Sequence, residues 1–181
     1  MDHEGSRCSI CERDIVKKRR LLYGHDICRK CDASFASRRQ FAFMIDMLLG
    51  RLLAEGIASL SLLGLGEAGV GLAAGGFSLI WILIKDASGG YSPGKKLMGV
   101  RVLNIESGMG AGVGDSMRRN APLLIPFVPL FVAFQLHKGQ RLGDGWAGTR
   151  VIWVKHRERA PFATTVTHRL GKPDTVGRTL P

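Results

Sequence analysis

Acidic residues are scarce in this chain: 15 Asp and Glu stand against 26 Lys and Arg in 181 residues, a formal net charge of +11. That imbalance fits either a nucleic-acid binder or a membrane protein with basic flanks, so the position of the charges decides between them. No apolar run opens the N-terminus, and hence no secretory signal is visible. Cysteine is confined to four positions within the first 31 residues, and on a reducing side of the membrane these argue against structural disulfides. A nucleophile paired with a base is also missing, as is an open metal site, so no enzymatic activity is expected. Basic residues are absent from 63–68, although they crowd both ends of the chain.

What the chain has instead is a long apolar stretch. Residues 41–84 are broken only by Asp46, Arg51, Glu55 and Glu67, with glycines clustered near the middle. At 1.5 Å per residue, helices over 41–63 and 68–84 would be about 35 and 25 Å long, against a hydrocarbon core of about 30 Å. This reads as a transmembrane helical hairpin. Ten Lys and Arg lie in residues 1–40, six in 85–120 and nine in 137–181. The positive-inside rule then places both termini in the cytoplasm and the protein in the cell (inner) membrane. Gly71 and Gly75, spaced as Gly-x-x-x-Gly, are expected to favour close packing on the first helix or self-association.

Cys8, Cys11, Cys28 and Cys31 form two Cys-x-x-Cys pairs with the spacing of a four-cysteine zinc site. A closed shell of thiolates predicts a structural Zn²⁺ in a ribbon-like module over 1–35, with no apolar core of its own before Arg38. His25 is expected at the surface or behind the ligands. Between the pairs, Lys17, Lys18, Arg19 and Arg20 lie close enough to the membrane to meet anionic lipid head groups, and Lys95 and Lys96 are expected to do the same. A plain solvated charge run is the alternative reading. No nucleic-acid partner is expected.

Arg39 and Asp46, seven residues apart, share one helical face, and a carboxylate inside the membrane needs a partner from elsewhere. Arg51 and Glu55, four apart, can neutralise each other. Gly89 to Lys95 mimics a phosphate loop, but Lys96 stands where Ser or Thr is required and no strand precedes it, so nucleotide binding is rejected. Two β-prone runs, 100–105 and 149–154, are expected to pair. Between them, apolar residues 121–136 contain Pro122, Pro126 and Pro129. A re-entrant or interfacial segment is expected there rather than a span, because crossing would export the basic C-terminal segment. Residues 155–181 read as a polar tail that only a partner would order.

The order and spacing of four motifs resemble the RDD family of membrane proteins: Arg39-Gln-Phe-Ala-Phe-Met-Ile-Asp46, Ser92-Pro-Gly-Lys-Lys-Leu-Met-Gly-Val-Arg-Val102, Arg119-Asn120, and Gln140-Arg-Leu-Gly-Asp-Gly-Trp-Ala-Gly-Thr149. The resemblance covers about 36–154 and implies an integral membrane domain, with ligand or ion transport as the suggested activity. It places the family's arginine and two aspartates on Arg39, Asp46 and Asp144, expected to be neighbours in space. The fold expected is an α-helical integral membrane protein: a transmembrane hairpin, a third re-entrant or interfacial segment, a small cytoplasmic β-pairing and an N-terminal zinc ribbon. Two functions follow. One is a non-catalytic scaffold or accessory subunit that docks a membrane protein or another copy of itself. The other is a cation- or proton-coupled transporter using Asp46 and Asp144.

Overall fold

In the computed structural model, the described residues are 7–15, 19–61, 66–125 and 142–163. The chain opens with a knuckle around Cys8 and Cys11, closed by Cys8 N donating to Arg13 O at 2.9 Å, with Glu12 at φ 60°. A two-stranded hairpin follows, β1 (Arg20–Leu22) and β2 (His25–Ile27). Its two-residue turn, Tyr23 and Gly24, has both φ values positive, as a type I′ turn requires.

Helix α1 (Arg29–Ser61) begins immediately after β2 and runs unbroken for 33 residues. Cys31 therefore sits in its first turn, and the boundary expected between 35 and 36 falls inside one helix. The apolar residues before Arg38 bury in a core shared with later parts of the chain rather than in one of their own. Cys8, Ile10, Leu22, Ile27 and Phe35 are buried together with Val100, Val151, Trp153 and Phe162 in a single cluster. Within it, the Phe35 ring lies 5.1 Å from Phe162 and 6.2 Å from Trp153, centroid to centroid. Phe162 belongs to the expected polar tail, whose first residues thus pack, after a 3₁₀ turn at Val154–His156, into the same core. Residues 164–181 lie outside the described residues.

Helix α2 (Gly66–Ile84) returns antiparallel to α1. It is the one helix among the described residues long and apolar enough to cross a membrane. Helix α1 has the length, but Asp46, Arg51 and Glu55 punctuate its apolar stretch. Arg51 Nε and Glu55 Oε1 pair at 2.8 Å, as their i, i+4 spacing predicts. Both helices turn apolar side chains outward: Met44, Leu48, Leu52 and Leu72, Leu79, Ile80 are all exposed. An outward apolar belt of this kind suits lipid rather than water. The helices approach at Gly50, where a Cβ would lie 2.5 Å from the Trp81 indole. At Gly71 and Gly75, by contrast, a Cβ would meet nothing within 4 Å, so the close contact expected there is made elsewhere.

After α2 come the short helix α3 (Pro93–Met98), strand β3 (Val100–Asn104), helix α4 (Val113–Asn120) and a 3₁₀ turn (Ala121–Leu124). Most of the third apolar segment, from residue 126, lies outside the described residues. Helix α5 (Leu142–Trp146) then leads into β4 (Thr149–Trp153). Strands β3 and β4 pair antiparallel as expected, Val102 opposite Val151. Their buried faces join the core of the cysteine module.

A buried charge network and a four-cysteine cluster

Asp46 is fully buried and is received by the start of α3. Ser92 caps that helix and donates its hydroxyl to Asp46 Oδ2 at 2.5 Å, while Gly94 N donates to Oδ1 at 2.8 Å. A carboxylate at a helix start meets oriented N–H donors there. The sequence Ser-Pro-Gly is what allows it. Ser92 supplies the cap, Pro93 takes the first helical position, and Gly94 has no Cβ where one would collide with the Ala42 carbonyl of α1. Trp81 Nε1 donates to the Asp46 carbonyl at 3.1 Å and ties α2 to the same turn of α1.

Lys95, expected at the lipid head groups, is buried instead at 4% exposure. Its ammonium donates to Asp86 Oδ1 and lies 3.9 Å from Asp46 Oδ2. It sits one residue beyond Gly94 on the same short helix, so seating α3 on Asp46 carries Lys95 inward. Lys96, its neighbour, is exposed. Asp86, two residues past α2, also accepts from Arg119 Nη1 at 3.1 Å and Asn120 Nδ2 at 3.4 Å. Arg119 Nε in turn donates to Asp144 Oδ1 at 2.5 Å, and Arg39 Nη2 lies 3.6 Å from Asp144 Oδ2. Ser116 fastens the end of α2 by donating to Leu83 O at 2.7 Å and accepting from Asp86 N at 3.3 Å.

The result is an alternating chain: Asp46, Lys95, Asp86, Arg119, Asp144, Arg39. Three carboxylates face three cations, drawn from α1, the α2–α3 connection, α3, α4 and α5. Burial alone would push the Asp86 carboxyl up, but Lys95, Arg119 and Lys85 together hold it below the usual carboxylate range. Likewise, burial would lower Arg119, and Asp144 with Asp86 more than restores its charge.

Arg39 and Asp144 are therefore direct neighbours, while Asp46 connects to them through Lys95, Asp86 and Arg119. Those three intermediaries were not assigned to the site from sequence. Asp86 had a visible signal, a carboxylate placed just where a strongly apolar helix ends.

The four cysteines form the second constellation. Their sulfurs all lie within 4.8 Å of one another, with Cys11 Sγ and Cys28 Sγ 3.8 Å apart, and none is disulfide-bonded. A tetrahedron of sulfurs about 2.3 Å from a metal has edges of about 3.8 Å, so the set fits a tetrahedral thiophilic ion. Burial would raise the Cys8 thiol, but N–H groups directed at its sulfur, among them Cys28 N at 3.3 Å, bring it down to about 6. Burial together with its cysteine neighbours pushes Cys31 up.

Lys17 and Lys18 lie outside the described residues. Arg19 and Arg20, expected at lipid, are half engaged within the module, Arg19 with Asp26 at 3.1 Å and Arg20 with Asp32 at 3.9 Å.

Neither the comparison with curated proteins nor that with solved structures gives a match. Residues 33–148 match the RDD family. That span contains Arg39, Asp46, Asp86, Lys95, Arg119 and Asp144, every member of the charge chain, and the chain belongs to the RDD family.

Proposed function

We propose that this chain is a non-catalytic scaffold or accessory subunit of an inner-membrane complex, held at the cytoplasmic face by a structural Zn²⁺ module. The observation that carries the reading is the charge-balanced network: each carboxylate is neutralised by a cation from another element. Such a network specifies one arrangement of helices at a desolvation cost, which is a role in assembly. Zn²⁺ suits the all-sulfur set, whose closed shell leaves no position for water and so serves folding or docking. Both termini face the cytoplasm on the strength of the charge distribution. Membrane lipids, anionic ones included, are the expected neighbours of Lys96 and of residues 17–20.

A cation- or proton-coupled transporter is the second reading. It is favoured by Arg119 Nη2 and Asn120 Oδ1, buried with no hydrogen-bond partner among the described residues. The test is flux through proteoliposomes containing the purified protein. The scaffold reading expects no proton or sodium movement above protein-free vesicles. Flux that disappears in a still-folded Asp46→Asn variant would establish the transporter and overturn the scaffold.

A further inference from the structure

Where α2 leaves the apolar layer, the connection to α3 folds back and leaves a cleft of about 470 Å³. Lys85 and Lys96 line it, with the hydroxyl residues Ser88 and Tyr91 between them and Trp81 and Ile84 at its apolar end. No carboxylate is among the described residues that line it. The level is set by α1: the Lys85 ammonium lies 4.9 Å from the centre of the Phe43 ring, between the outward apolar residues Phe41 and Met44. The cleft therefore straddles the boundary between apolar belt and basic face.

Its polar half concentrates positive charge. The Tyr91 ring has the Lys96 ammonium 6.0 Å from its centroid and the Arg101 guanidinium at 4.8 Å. Lys95, the neighbouring cation, is consumed by Asp86, and no ion pair engages Lys96 among the described residues. Ammonium groups and hydroxyls together are donors suited to phosphate oxygens, and an indole with an isoleucine at the other end suits a hydrocarbon chain.

The geometry points to a binding site for one anionic phospholipid, its phosphate between Lys96, Tyr91 and Ser88 and its acyl chain along Trp81 and Ile84. The site stands whether the charge network serves assembly or flux, so the outcome of the flux experiment does not bear on it. Charge at the membrane surface favours anionic lipid by about five-fold for each basic residue.

Trp81 is a built-in reporter. The full chain is reconstituted in phosphatidylcholine vesicles doped with phosphatidylglycerol or phosphatidylcholine brominated on the acyl chains, and tryptophan quenching is followed. Half-maximal quenching is expected at an about five-fold lower fraction of the anionic lipid. Trp81→Phe should remove that component, Lys96→Gln should abolish the preference, and Lys96→Arg should keep it. Lys96 is exposed, so its substitution leaves the core intact. Equal quenching by the two lipids overturns the proposal, as does a preference that survives Lys96→Gln or Trp81→Phe. Inorganic phosphate is titrated separately in detergent. A shift in Trp81 emission there, without any lipid preference in vesicles, assigns the cleft to free phosphate and overturns the lipid site.

Discussion

Asp86 is a middle link of the network, held by cations from two different helices, Lys95 of α3 and Arg119 of α4. Asp86→Asn leaves both buried against a neutral amide. The expected cost is about 3 to 5 kcal/mol, read as a lowered midpoint in thermal unfolding of the detergent-solubilised protein. The pH dependence has a definite sign. The folded carboxyl is held below its ordinary value of 3.8, so the stability it contributes is fully present above that pH and is lost as acid protonates the folded site. Wild-type protein should lose stability progressively below about pH 4, and the Asn variant should show less of that loss.

At the scale of elements, the decisive contact is α3 on α1. Gly94 permits it and Asp46 rewards it. The need for a partner at Asp46 was legible in the sequence, since an isolated carboxylate in an apolar helix is costly, yet the partner was not. Ser92 and Gly94 act through a helix of only six residues, too short to leave a periodic signature. Lys95 was misread for a related reason: next to a membrane helix a basic residue resembles a head-group anchor, and only the seating of α3 turns it inward. The pairing of β3 with β4 was legible because β-branched residues alternate in both. The common core of the module and the strands was not, because Phe35 lies more than a hundred residues from Trp153 and Phe162 and nothing in the local pattern links them. A metal test follows from that core. Purified protein should carry one zinc per chain, and Cys28→Ser should lose it. Trp153, which lines the groove beside the cysteines and stacks on Phe35, should then shift its emission to the red as the core loosens.

For the whole molecule, the shared core constrains the sidedness proposed above. The cysteine module and the β3–β4 pair bury side chains against one another, so the proposed two-span topology requires them on one side of the membrane, with α1 and α2 leaving and returning together. Epitope tags at the N-terminus and in the turn at 106–108 should both be reached by antibody from the cytoplasmic side. Neither should be reached from outside, while a tag in 62–65 should show the opposite pattern. A tag at 106–108 on the side opposite the N-terminus would contradict the core itself.

The unbroken course of α1 has one more consequence. Cys31 and Asp46 stand fifteen residues apart on a single rod, about 22 Å in height and about 60° in bearing from one another. Each is docked into a separate pocket, one among sulfurs and one at the start of α3. The interval between them is thus an angular quantity as much as a length. Inserting one residue swings Asp46 through about 100° and away from Ser92 and Gly94, whereas inserting seven nearly restores the bearing but displaces the carboxylate by about 10 Å. No change in the number of residues between the two docks preserves both.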